Sequence, residues 1–261
     1  MPVLTNDGIR IHYEVRGDGP AILFHTGAGG DSRIWEYAGY MDGLPGFTKI
    51  LMDQRGRGRS GRPEGAEAHR MEHFAADIGA VLDDAGFESA GFWGYSNGVY
   101  PGLAFGAANP KRIEALVGTG TLWFQDVADL GPVADEAAFI GEQVTKGGVA
   151  QDVDEYQRLD GEHFPEAIDR NVREGDPRMY ALDRIGRRSW HGPKSVYPSF
   201  VAPILMITGE RETDEGNTEK ALAVLPNARG VRVSGVGHLA AFYRSDLALP
   251  HALPFLLEHV K

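Results

Sequence analysis

Gly94-Tyr95-Ser96-Asn97-Gly98 follows directly on the apolar run Ala90-Gly91-Phe92-Trp93 and precedes a small, apolar stretch, residues 99–108, that stops at Asn109-Pro110. The order is that of a strand, a sharp turn and a helix, with Asn-Pro as a helix stop. A serine on such a turn has strained backbone angles, and its neighbours two positions away must be small so that strand and helix can approach each other. The G-x-S-x-G spacing meets that demand, and it exposes one hydroxyl where a histidine and a reacting carbonyl can both reach it.

Two later segments supply the other residue types that such a serine needs. Gly235-Val236-Gly237-His238 places a histidine in a glycine-rich loop after a short strand at residues 230–234. Ile204-Leu205-Met206-Ile207-Thr208-Gly209 reads as a buried strand, and Glu210, Glu212, Asp214 and Glu215 follow it. Serine, acid, histidine is the chain order of one known arrangement of a nucleophilic triad.

Taken together these motifs resemble the α/β-hydrolase superfamily, over nearly the whole chain and most weakly at residues 122–200. Asp53-Gln54-Arg55-Gly56-Arg57-Gly58-Arg59-Ser60 is similar to the D-x-R-G-x-G-x-S turn of many members. Its role there is mainly structural, so no catalytic part is assigned to it. Ala21-Ile22-Leu23-Phe24-His25-Thr26-Gly27-Ala28-Gly29-Gly30 matches the strand and loop that form the oxyanion hole in the family. One departure stands out. Relatives carry His-Gly at the strand end and a tryptophan about nine positions later, whereas counting back from Trp35 reaches Thr26 and leaves His25 one place early.

The resemblance implies an α/β fold with a mostly parallel central sheet flanked by helices. Residues 1–121 and 201–261 would form the hydrolase core, and residues 122–200 a helical cap. It implies Ser96 as nucleophile and His238 as base, with the backbone N–H groups of Ala28 and Asn97 as oxyanion donors. The acid stays open. Glu212 occupies the family position, three residues after the glycine that ends the strand; Asp214 lies two residues further on, and Asp126, after the strand at residues 115–117, is a third choice.

Composition sets outer limits. A chain of 261 residues, 42% hydrophobic and 24% charged, suits one large α/β domain with an insertion. The formal net charge of −11 argues against nucleic acid or an anionic membrane as partner. With zero cysteines there is no disulfide, thiolate metal site or cysteine nucleophile. The N-terminal residues lack a secretory pattern and no apolar run is long enough to span a bilayer, so the expected location is cytoplasmic.

Along the chain, residues 9–15 alternate as an edge strand, residues 48–52 form another, and three strands are expected before the strand that leads into the Ser96 turn, the nucleophile elbow of the G-x-S-x-G pattern. Met71, Phe74, Ile78, Val81 and Leu82 recur at helical spacing, which predicts an amphipathic helix over 69–85. Strands alternating with helices imply parallel pairing. Residues 122–200 carry helical segments at 139–144, 153–159 and 179–185. Their aromatic residues include Trp123, Phe124, Phe139, Phe164, Tyr180 and Trp190. Arg55, Arg57, Arg59 and Arg62 read as a solvated loop with local ion pairs.

Two competing motifs are weaker. Gly27-Ala28-Gly29-Gly30-Asp31-Ser32 resembles part of a dinucleotide-binding loop, but Ser32 takes the third glycine position and no Tyr-x-x-x-Lys pair exists in the chain. His69, Glu72 and His73 spell H-x-x-E-H on the predicted helix, without an evident third ligand. The expected activity is therefore hydrolysis of a small, largely apolar carboxylic ester or lactone through an acyl-enzyme, without metal or organic cofactor. Alternatives are a hydrolase-fold binder with little turnover, and a carbon–carbon bond hydrolase or perhydrolase using the same triad. A serine rather than an aspartate at the elbow removes epoxide hydrolase and haloalkane dehalogenase chemistry, which needs a carboxylate nucleophile.

Overall fold

The computed structural model describes residues 3–120, 122, 127–212 and 216–261. Eight strands form one sheet: β1 (Val3–Asn6), β2 (Ile9–Arg16), β3 (Ala21–His25), β4 (Thr48–Met52), β5 (Ala90–Tyr95), β6 (Ile113–Thr119), β7 (Ile204–Gly209) and β8 (Ala228–Val233). Their spatial order is β1-β2-β4-β3-β5-β6-β7-β8. From β4 onward every neighbouring pair is parallel, while β1 and β2 enter antiparallel. Four strands precede the elbow strand rather than three, and β1, not β2, is the edge. The strand missing from the sequence reading is short, and it turns into β2 through Asp7-Gly8, both at positive φ (51° and 75°). Asp-Gly at two left-handed positions is the signature of a tight hairpin turn whose twist matches that of the strands.

Between and after the strands lie α1 (Ile34–Tyr37), α2 (Met71–Asp84), α3 (Val99–Ala108), α4 (Glu136–Lys146), α5 (Val149–Asp160), α6 (Glu166–Arg173), α7 (Pro177–Arg187), α8 (Gly192–Val196), α9 (Asn217–Val224), α10 (His238–Tyr243) and α11 (Ser245–His259). The predicted helix over 69–85 is interrupted at its start. Arg70 is extended, with ψ 153°, and the α-helix begins at Met71.

Successive strand residues point to opposite faces, so each buried strand feeds two cores. One holds Phe24, Trp93, Val117 and Leu205 with Trp35 and residues of α10 and α11; the other holds Leu23, Phe92, Leu116 and Met206 with residues of α2 and α3. Helices on both faces leave β3, β5, β6 and β7 buried along their whole length apart from one residue of β6, Glu114. The loops leaving the C-terminal ends of these parallel strands therefore converge at one edge of the sheet, the usual site of ligands in open α/β sheets. Five helices, α4 to α8, lie between β6 and β7, and no strand does among the described residues.

Candidate active site

The elbow is built as its glycines require. Ser96 has φ +52°, a left-handed conformation that strains a residue bearing a side chain. A Cβ on Gly94 would stand 2.7 Å from the Cα of Val99, and one on Gly98 would stand 2.4 Å from the carbonyl oxygen of Thr26. Both glycines let α3 and the loop after β3 close onto the strand that carries the serine. His25 of β3 pairs in register with Gly94 of β5, so the loop at Gly27 and Ala28 and the turn at Ser96 and Asn97 leave the sheet side by side. A Cβ on Gly27 would lie 3.1 Å from the Ser96 Cβ.

His238 begins α10, after the loop from β8. Its Nε2 lies 3.1 Å from the Ser96 Oγ, and its Nδ1 is hydrogen-bonded to the Glu212 carboxylate. The second oxygen of Glu212 accepts from the Gly209 N–H at 3.1 Å, which anchors the acid to the end of β7. His238 and Glu212 are buried, and Ser96 is half-buried. Of the three candidate acids, Glu212 meets the histidine; Asp214 and Asp126 lie outside the described residues.

Much of what holds the histidine comes from the helical stretch between β6 and β7. The His238 N–H donates to Asp160 Oδ2 at 2.9 Å, and Glu162 accepts from the Gly237 and Ala240 N–H groups at 2.9 and 3.1 Å. These carboxylates satisfy donors that the first turn of α10 would otherwise leave unpaired. Burial raises the Asp160 carboxyl above its ordinary value. The imidazole is stacked on Tyr156, at 4.5 Å between centroids and 17° between planes, and faces Tyr95 at 5.5 Å on a more tilted plane. None of Tyr156, Asp160 and Glu162 was singled out from the sequence, because nothing in the local spacing of α5 and the residues just after it marks which of them reach a loop some 80 positions away.

His25 is fully buried. Its Nδ1 lies 3.2 Å from the Thr26 carbonyl oxygen. Burial, followed by the nearby charges of Arg187 and Arg57, lowers it to about 3, so it is a neutral core residue at ordinary pH. The basic cluster corrects the sequence reading. Only Arg59 and Arg62 are solvated. Arg55 is buried in a two-point ion pair with Asp77, at 2.7 and 2.8 Å, and donates to the Ala68 carbonyl at 2.9 Å. Arg57 is buried between the Gly27 carbonyl and Asp183. Each is tolerated inside because a carboxylate from another element accompanies it.

The H-x-x-E-H residues do not converge. His69 is buried with its Nε2 3.2 Å from the Pro63 carbonyl, and His73 faces Asp7 at 3.0 Å. No group of three or more His, Asp or Glu side chains that could hold a metal ion occurs among the described residues. No helix among them is long and apolar enough to cross a membrane. A polar cleft of about 340 Å³ is lined by Gly29, Asp31, Arg57, Asn171 and Gly175 among others, and it includes neither Ser96 nor His238.

Comparison with known proteins agrees with this architecture. The chain is 31% identical to the zearalenone hydrolase of Cladophialophora bantiana over 43% of each protein. It is 36% identical to the bifunctional esterase/perhydrolase of Acinetobacter calcoaceticus over 37% of this chain and 35% of that one. The chain thus spans less than half the length of these curated relatives. Among solved structures, the enol-lactonase from Burkholderia xenovorans LB400 superposes with a TM-score of 0.73 at 19% identity, covering 98% of this chain and all of the other, a likeness of fold. The profile of the alpha/beta hydrolase fold family matches residues 20–245, most of the sequence, and with that match the chain belongs to the alpha/beta hydrolase fold family.

Proposed function

We propose that this protein is a serine hydrolase of small, largely apolar carboxylic esters or lactones. The observation that carries the reading is the continuous hydrogen-bonded line from Ser96 Oγ through the His238 imidazole to the Glu212 carboxylate. In the proposed reaction Ser96 Oγ attacks the carbonyl carbon as its proton passes to His238 Nε2, and the carbonyl oxygen becomes the oxyanion facing the Ala28 and Asn97 N–H groups. Collapse breaks the bond to the alkoxy group, which leaves with the proton from His238 and yields the acyl-enzyme. Water then gives a proton to His238, its hydroxide adds to the acyl carbon, and the carboxylic acid departs as Ser96 recovers its proton. Glu212 holds the imidazole in the tautomer with Nδ1 protonated and stabilises the imidazolium.

In this reading residues 122–200 are a cap that excludes water and shapes the acyl pocket. The clamp of Tyr156, Asp160 and Glu162 around His238 supports it. The relative named as a bifunctional esterase/perhydrolase supports the class of substrate.

The test is labelling with a fluorophosphonate, located by peptide mass, beside turnover of p-nitrophenyl esters of increasing acyl length. Labelling at Ser96 with turnover is expected, with a loss of about a million-fold in kcat for Ser96→Ala and about ten-thousand-fold for Glu212→Gln. Labelling without turnover of any ester would overturn the reading in favour of a ligand binder or a carbon–carbon bond hydrolase. Full activity in Glu212→Gln would return the acid to Asp214 or Asp126.

A further inference from the structure

Behind the proposed oxyanion hole runs a buried chain of charged side chains that the triad does not use. Arg57 Nη1 donates to the Gly27 carbonyl, and its Nη2 donates to Asp183 Oδ2 at 2.8 Å. The other oxygen of Asp183 accepts from Arg187 Nε, and Arg187 Nη1 donates to the Asn97 carbonyl at 3.2 Å. The side chains of Arg57, Asp183 and Arg187 are only 6%, 5% and 8% exposed. Asp183 and Arg187 sit one turn apart on α7. One helix from outside the sheet thus joins the loop at Gly27, through Arg57, to the turn at Asn97.

Two features make this more than a structural tie. The carbonyl that Arg57 engages belongs to the Gly27–Ala28 peptide, the unit whose N–H is the proposed Ala28 donor. A cation on the carbonyl end of an amide draws density from its N–H end, so that N–H becomes a stronger donor. Moreover, two guanidiniums share one carboxylate, and all three side chains are almost wholly buried. Arg187 stacks on the Phe74 ring at 5.1 Å, and His25 beside the pair carries no charge of its own. The remaining positive field lies behind the place where negative charge would develop, and burial preserves its strength.

We propose that Arg57 is a positioning residue for the oxyanion hole, held by Asp183 of α7 so that its guanidinium fixes and polarises the Gly27–Ala28 peptide toward the developing oxyanion. The proposal rests on the serine-hydrolase reading above. It accounts for a buried cation in a turn whose sequence marks it as merely structural, and it makes α7 part of the hole without touching substrate.

The experiment compares wild type with Arg57→Met and Arg57→Lys in p-nitrophenyl ester turnover and in inhibition by a trifluoromethyl ketone of matched acyl length. The serine adduct of that ketone places an oxyanion in the hole. Arg57→Met is expected to lower kcat about 30-fold, less than the loss of a direct donor, with KM within about threefold. The inhibition constant should rise by the same factor as kcat falls. Arg57→Lys, which keeps a cation, should recover all but about fivefold. If Arg57→Met does not fold, Arg57→Gln carries the same test, since it removes the charge while keeping one amide donor. A fall in kcat with an unchanged inhibition constant, or no fall at all, overturns the proposal. Absence of both labelling and turnover in the wild type would instead overturn the hydrolase reading on which it stands.

Discussion

The strand-to-helix turn at Ser96 and the helical stretch at residues 136–196 supply one site by opposite means. The turn works through backbone. Its serine is held at positive φ, and two glycines flank it where a single methyl group would meet main-chain atoms. The helical stretch works through long side chains that reach into the site, namely Asp160 and Glu162 onto α10, Tyr156 onto the imidazole, Arg187 onto the Asn97 carbonyl and Asp183 onto Arg57. The difference teaches where tolerance should lie. A backbone packed against backbone has no rotamer with which to relax, whereas a side chain at the end of several torsions can be shortened or neutralised at the cost of one interaction.

The sharpest way to break that comparison is Gly98→Ala. Its methyl would sit 2.4 Å from the Thr26 carbonyl oxygen and 2.5 Å from that of His25, main-chain atoms at the end of β3, where His25 pairs with Gly94 of β5. We expect a loss of about 3 kcal/mol or more in urea unfolding, together with most of the activity. A variant of near wild-type stability would show that the elbow yields, and the contrast would collapse.

Next comes His25, at the junction of the two regions. Its folded value of about 3 lies below that of an unfolded histidine, so the unfolded chain binds more protons between these values and stability falls as pH falls. The full contribution is present above about pH 6.5 and is lost progressively toward pH 3. At pH 4.5, two units below the unfolded value, the loss is about 3 kcal/mol. Urea unfolding of wild type and His25→Phe at pH 7 and pH 4.5 should show a drop smaller by about that amount in the variant. Equal drops in both would mean that His25 does not carry the acid sensitivity.

The smallest effect is expected from the helical stretch. Asp160→Asn keeps an oxygen for the His238 N–H and removes only the charge, so a loss of about 1 kcal/mol and a fall in kcat of less than about tenfold are expected. A loss as large as that of Gly98→Ala would place the helical stretch on the same footing as the elbow.

The same contrast explains what could be read in advance. The strands that carry the site were legible because β3, β4, β5 and β7 are short runs dominated by apolar residues. The helical segments at 139–144, 153–159 and 179–185 fall inside α4, α5 and α7. The short β1 was missed, although Asp7-Gly8 was there to be read as a hairpin turn. At the site, His238 lies within hydrogen-bonding reach of both Ser96 and Glu212. Arg57 was misread as solvated because charge in a glycine-rich turn usually is; its partner, Asp183, lies 126 positions away.

By itself, then, the sequence determined the local backbone: where a serine must sit between glycines on a turn, where apolar runs must be buried, and which glutamate stands three places beyond β7. These follow from steric and periodic rules acting within a few residues. Only the tertiary structure decided which side chains of the helical stretch clamp His238, and that Arg57, Asp183 and Arg187 form one buried line behind Gly27 and Asn97. Pairings of that kind depend on how helices pack across the sheet edge. A charge becomes a wired, desolvated group only after folding has brought its counter-ion to it.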